Sequence, residues 1–221
     1  MTIEIHHDGP VGWLIFDRPD AGNAIDAQMF IDLEHAWAEL DADDTVSVIV
    51  NTGNGRAFQT GLDVVQLARD PEALKASSRQ TKRADLRLTA WHCGVTKPVI
   101  AAVNGICAGG GLHFVADADI VIASSNAEFL DPHVSVGQVT AFETIGMLKK
   151  SPTESIARMA YLGRHERITA DRARQLGILS EVVEPEQLRA RAQDIAETIA
   201  RHPLDQLRQL KRQLWAALEV A

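Results

Sequence analysis

Ile3 and Ile5 alternate with polar positions, a His-Asp-Gly-Pro turn follows, and Val11 to Phe16 is a second apolar run. That order predicts a β-hairpin at the start of the chain. Met29, Phe30, Leu33, Trp37 and Leu40 then recur at helical spacing and predict an amphipathic helix over 27–41. Val46–Val50 reads as a buried strand, closed by a turn cluster at Asn51–Gly55. Residues 63–69 and about 79–94 read as helices with a polar loop between them. Pro98–Val103 and Ile120–Ala123 are strand-like, with a helix of small and apolar residues over 109–116 between them. Helices follow near 141–149, 153–162 and 169–176, the last capped by Thr169, then a short strand at Ser180–Val183. Amphipathic helices over 185–201 and 203–219 are separated by Pro203. Strands alternating with helices give an α/β class with a helical C-terminal region. The expected division is a core over 1–150 and a helical region over 151–221.

The chain has 221 residues, 46% of them hydrophobic, enough for one domain with a full core plus an appendage. A net charge of −8 argues against nucleic acid or an anionic membrane as partner. Two cysteines, Cys93 and Cys107, suit a reducing compartment and no disulfide framework. Cys107, inside an apolar stretch, reads as an inert core thiol. The opening MTIEIHHDG lacks the basic and apolar regions of a leader, and no apolar run suffices to span a bilayer, so a cytoplasmic protein is expected.

Candidate chemistry centres on two glycine turns. PVIAAV ends at Asn104-Gly105, and Gly109, Gly110 and Gly111 follow before a helix. GRAFQTGLD, residues 55–63, also sets a glycine before a helix start. Each such turn presents unpaired backbone N–H groups. One from each, aimed at a single carbonyl oxygen, is an oxyanion hole. No HxxxH, CxxC or clustered carboxylates suggest a metal.

KPVIAAVNGICAGGGLHFVADADIVIAS, AEFLDPHVSVG, RPDAGNAID, GRAFQTGLDV and ITADRARQLGILSEVV together resemble the crotonase superfamily, the enoyl-CoA hydratase/isomerase family. The resemblance runs from about residue 3 to about residue 215. It implies a spiral of ββα turns, a helical C-terminal region, and a homotrimer or dimer of trimers. It also implies an acyl-CoA substrate, with coenzyme A part of the substrate and no separate cofactor. The oxyanion-hole N–H groups carried over by position are those of Leu62 and Gly110. The CoA-binding stretches match Asn23, Ala24, Ile25 and Asp26, and Thr60, Gly61, Leu62, Asp63 and Val64.

The sequence departs from the hydratases of this family. By position, His113 and His133 stand where their two catalytic glutamates fall. Imidazole can give or take a proton near neutral pH. Glu143, ten residues past His133, can orient its ring, the logic of a dyad. Some crotonase-fold enzymes that cleave carbon–carbon bonds in β-diketones have a similar histidine followed by an acid. Three readings stand: an acyl-CoA hydratase or isomerase using His133 with His113; a β-diketone hydrolase using His133 and Glu143; and a non-catalytic binding subunit. The chain stops at Ala221, some tens of residues short of typical members. Asp20 and Gly22 stand where a basic residue often precedes the first CoA stretch, so weak phosphate contacts are expected. His6, His7, His35, His92, His165 and His202 read as solvated or structural, Asp63 as a helix cap and Asp119 as structural.

Overall fold

Apolar runs this continuous suit strands covered on both faces, and the fold is built from them. The computed structural model describes residues 2–70, 86–140 and 142–219. β1 (Ile3–Asp8) and β2 (Val11–Phe16) form the expected hairpin, with Ile3 opposite Phe16 and Asp8 opposite Val11. β3 (Val48–Gly53), β5 (Val99–Val103), β7 (Ile120–Ser124) and β10 (Glu181–Val183) add parallel strands to a six-stranded sheet, in the order β1-β2-β3-β5-β7-β10. β4 (Ala57–Gln59), β6 (Ile106–Ala108), β8 (Glu128–Leu130) and β9 (Ile168–Thr169) form a second sheet in that order, with β9 antiparallel. The chain therefore alternates: a long strand in the first sheet, a short one in the second, then helical structure. This is the expected spiral of ββα turns.

Side chains of the six-stranded sheet alternate between two cores. Leu14, Phe16, Ile49, Ala101 and Val103 join the main one, with Met29, Leu33, Ala36, Trp37 and Leu40 of α1 (Ala27–Ala42). Trp13, Ile15, Val48, Val50, Ile100 and Ile122 face α7 (Leu188–Ala200), which contributes Leu188, Ala192 and Ala196. Each fully buried Leu, Ile or Val contributes roughly 1.5–3 kcal/mol by leaving water.

The remaining helices among the described residues are α2 (Val64–Arg69), α3 (Gly111–Ala116), α4 (Phe142–Gly146), α5 (Thr153–Leu162), α6 (Ala170–Gln175) and α8 (Leu204–Glu219). Three helix starts, those of α1, α2 and α6, have side-chain caps. Asp26 accepts from Met29 N at 2.8 Å, Asp63 from Val65 N and Gln66 N at 3.0 Å each, and Thr169 from Arg172 N at 3.3 Å. Asp119 is structural, as expected: it accepts from Val99 N at 2.8 Å and from Trp215 Nε1 of α8 at 2.6 Å. Among the described residues no helix is long and apolar enough to cross a membrane.

Three elements differ from the sequence reading. β3 runs on through Asn51 and Thr52, which were expected in a turn. Both are buried, and their side chains bond neighbouring strands, Asn51 Nδ2 to Leu14 O at 3.0 Å and Thr52 Oγ1 to Ala102 O at 2.8 Å. Buried polar groups bonded to neighbouring strands in this way do not end a strand, although Asn51 Oδ1 has no partner among the described residues. The helix expected over 79–94 lies partly outside the described residues. Its remainder, 86–94, is not helical: Leu86, Leu88 and Ala90 reach the core two residues apart, and a turn closes at Gly94 with φ +70°. The helix expected over 109–116 begins at Gly111, because Gly109 holds φ +50°.

Candidate active site

Two backbone turns meet beside the second sheet. Ile25 N donates to Gly61 O at 2.8 Å and Asp63 N to Ile25 O at 2.9 Å, a parallel bridge that turns the N–H of Leu62 away from Ile25. Gly110 is the N-cap of α3. Among the described residues neither N–H has an acceptor. The turns touch: a Cβ on Gly61 would stand 3.0 Å from Gly110 N, and one on Gly111 2.2 Å from Gln59 O. Only glycine permits that approach. Gln59, fully buried, fastens the arrangement. Its Oε1 accepts from Gly61 N at 2.6 Å and its Nε2 donates to Asn23 O at 3.0 Å. Two adjacent donors of this kind can polarise one carbonyl oxygen.

The stretches 23–26 and 60–64 are thus held side by side. Asn23 is buried at φ +58°, and its amide is consumed by Ala57 O and Phe58 O at 2.8 and 3.2 Å. Its side chain builds the loop and is not offered to a ligand. Ala24 and Ile25 are buried, Asp26 and Asp63 are caps, and Thr60 Oγ1 donates to Gly22 O at 2.9 Å. Arg18 ties both stretches, 2.9 Å from Asp63 and 3.3 Å from Asp26. Leu62 and Val64 are exposed.

His133 opens a 3-10 turn over His133–Val136, one residue after Pro132. Its ring lies beside the glycine turn: a Cβ on Gly109 would be 3.6 Å from His133 Cε1. Nδ1 is 2.5 Å from Asp131 Oδ1, and Nε2 is 3.1 Å from Glu143 Oε1 on α4. Asp131 has a fully buried side chain and also accepts from His133 N at 3.0 Å and Thr144 Oγ1 at 2.6 Å. The bond to Asp131 raises the His133 imidazole above its ordinary value; burial opposes this and Glu143 reinforces it. Burial works against ionised Asp131, but the bonds from His133 and Thr144 overcome it and hold the carboxyl well below the usual range. His113, on α3, places Nε2 3.5 Å from Glu143 Oε2, so Glu143 sits between two imidazoles. Burial pushes the His113 imidazole down to about 4, so it is neutral at pH 7. All three sequence-derived catalytic candidates are therefore in one cluster.

His113 also borders a pocket shared with Trp91, His92, Asp117, Phe142 and Lys149. The ligand atoms of His92, His113 and Asp117 lie within 4.8 Å of one another, a donor set suited to a divalent cation. The Asp117 carboxylate has partners already: Thr89 Oγ1 donates to it at 2.8 Å and the Lys149 ammonium is 3.5 Å away. Lys149 stands over the rings of Trp91 and Trp215, 5.4 and 4.9 Å from their centroids. Neither cysteine is an activated nucleophile. Burial pushes the Cys93 thiol up to about 12 and Cys107 higher still.

The family model described as enoyl-CoA hydratase/isomerase matches residues 7–221. The chain belongs to the enoyl-CoA hydratase/isomerase family. The (E)-benzylidenesuccinyl-CoA hydratase of Thauera aromatica is 32% identical over 201 residues, covering 90% of this chain and 77% of that protein. The 2,3-dehydroadipyl-CoA hydratase of Escherichia coli is 32% identical over 209 residues, covering 94% and 79%. A crystal structure of an enoyl-CoA hydratase/isomerase from Mycobacterium paratuberculosis superposes with a TM-score of 0.88 at 37% identity, covering all of this chain and 83% of that one. The fold is that of these family members.

Within this enoyl-CoA hydratase/isomerase fold, sequence reasoning missed one group at the site. Asp131 was given no role from sequence, although its two-residue spacing from His133 is the signal of an Asx turn. His92, read as solvated or structural, has a structural place. Its side chain is buried and its Nδ1 is 2.8 Å from Thr89 Oγ1, in the pocket wall that His113 shares.

Proposed function

We propose that this enoyl-CoA hydratase/isomerase family member acts on an acyl-CoA thioester through an enolate, as a hydratase or isomerase. The N–H groups of Leu62 and Gly110 hold the thioester oxygen, and His133 and Glu143 move protons at the carbons next to it. His113, neutral and buried, supports Glu143 from behind. The adenine and pantetheine parts run along 23–26 and 60–64, bound by backbone and by the exposed Leu62 and Val64, since the polar side chains there are already engaged. The protein works as a homotrimer or a dimer of trimers.

The observation that carries this reading is the 3.1 Å pairing of His133 with Glu143 next to two adjoining turns whose N–H groups have no acceptor among the described residues. Such a site combines charge stabilisation with an acid–base pair, the two needs of an enolate mechanism. The test is turnover of short and aromatic enoyl-CoA thioesters by the wild type and by His133→Ala. Turnover abolished by that change supports the reading, and full activity in the variant sinks it.

A second reading keeps the same 3.1 Å pair and has His133 activate a water that hydrolyses a carbon–carbon bond in a β-diketone. A cyclic β-diketone turned over without coenzyme A, with enoyl-CoA inert, would select it. Inertness toward both would leave a binding subunit.

A further inference from the structure

An imidazole with a carboxylate on each ring nitrogen donates on both sides and carries a positive charge. His133 is in that position, 2.5 Å from Asp131 through Nδ1 and 3.1 Å from Glu143 through Nε2. The groups facing it are Asp131 from the end of β8, Glu143 from α4, and His113 of α3 behind Glu143. Asp131 is not a surface partner that drifts in and out. Its side chain is fully buried, its second oxygen is held by Thr144 at 2.6 Å, and the His133 backbone N–H closes the turn at 3.0 Å. Asp131 also follows directly on Leu130, whose carbonyl accepts from Gly109 N at 3.2 Å. One strand end therefore sets both the glycine turn and the histidine.

We propose that Asp131 is a positioning residue that holds His133 as the imidazolium, so that His133 enters the reaction as proton donor and Glu143 as acceptor. This rests on reading the site as a proton-transfer centre for an acyl thioester. For hydration the step balances as follows. Glu143 takes one proton from water while the water oxygen bonds to the β-carbon. The electron pair of the C=C bond moves onto the thioester oxygen, giving the enolate. The enolate collapses as His133 Nε2 gives its proton to the α-carbon, and one water has been added. Glu143 then returns its proton to His133 Nε2 across their 3.1 Å contact, which restores the starting pair. A His133 that activates water against a ketone has to begin neutral, and two carboxylates at its ring nitrogens oppose that state.

The experiment is a histidine-labelled NMR titration of the whole protein without ligand, for wild type and Asp131→Asn, with His133→Gln to assign the signal. Wild-type His133 should remain cationic past the ordinary imidazole value of about 6.5. In Asp131→Asn its titration should fall by about one unit or more, the size expected for losing an opposite charge in contact. The high-pH limb of the turnover profile should move down by the same amount. A purely structural Asp131 would lower turnover at every pH and leave the titration where it was. A folded Asp131→Asn with an unmoved His133 titration would overturn the proposal. So would a wild-type His133 that is neutral at pH 7, a result that needs no variant to fold. Because the titration uses no substrate, failure of acyl-CoA turnover with a cationic His133 would count against the functional reading and not against this role of Asp131.

Discussion

Gly61 and Gly110 lie back to back: a Cβ built on Gly61 would be 3.0 Å from the Gly110 nitrogen, and one on Gly110 would be 3.2 Å from the Gly61 Cα. That contact brings two turns far apart in sequence to one small volume, where the N–H groups of Leu62 and Gly110 have no acceptor among the described residues.

Gly110→Pro tests it. Gly110 has φ −54° and ψ −20°, close to what proline requires, so the backbone conformation itself suits the new residue. The change removes the N–H and sets the ring where that hydrogen pointed. Turnover should fall about 10²–10³-fold, the worth of one oxyanion donor. Circular dichroism must show an intact fold first, and unchanged turnover in a folded variant would remove Gly110 from the site.

His133→Ala should lower turnover by about two to four orders of magnitude, the usual worth of a positioned acid or base. Glu143→Gln should cost a similar factor, because the amide can neither accept the substrate proton nor return one to His133. His113→Ala should cost less, since that ring touches Glu143 and not the glycine turns. Rates for the three variants on one substrate give the ranking. A Glu143→Gln enzyme with wild-type rate would dissolve the pair.

His113 makes a prediction about stability. Its folded value of about 4 lies below the ordinary 6.5, so as pH falls the unfolded chain takes up the proton first. Stability should drop between about pH 6.5 and 4 by up to about 3 kcal/mol from this group alone. His133 has the opposite sign: its raised value adds stability as pH falls, complete once below about 6.5, so it does not offset the loss in that window. Urea unfolding of wild type and His113→Gln at several pH values should show a flatter acid limb in the variant. Equal slopes would mean that the ring is not neutral in the fold.

Val136, Val139, Phe142, Ile145 and Tyr161 are exposed on the turn, the irregular segment and the helices that follow His133, Val139 by 90% and Tyr161 by 81%. Apolar surface concentrated this way is expected to be covered by another copy. Sedimentation should find a trimer or larger at micromolar concentration, and Val139→Asp with Tyr161→Asp should loosen it. A wild-type monomer at that concentration would rule the interface out.

What the sequence made legible was whatever periodicity or capping encodes locally. α1 stood out because Met29, Leu33, Trp37 and Leu40 repeat on one face, and α6 because Thr169 caps it. The strands β4, β6 and β8 did not, since three residues each carry no period and owe their state to pairing with one another. The same divide runs through the site. Gly110, His133 and Glu143 could be named from motif order. Asp131 could not be ranked, because its importance comes from burial, from Thr144, and from a ring nitrogen direction that only the folded turn sets.

β9 and β10 complete the two sheets from the far end of the sequence, Ile168 pairing with Phe129 and Val182 with Ala123. During synthesis this has an order to it. When only the first 150 residues have left the ribosome, β7 and β8 each present a bare edge of backbone donors and acceptors, the kind of template on which chains stick together. Shelter for both edges, and for the apolar face that Leu188, Ala192 and Ala196 later cover, is encoded downstream.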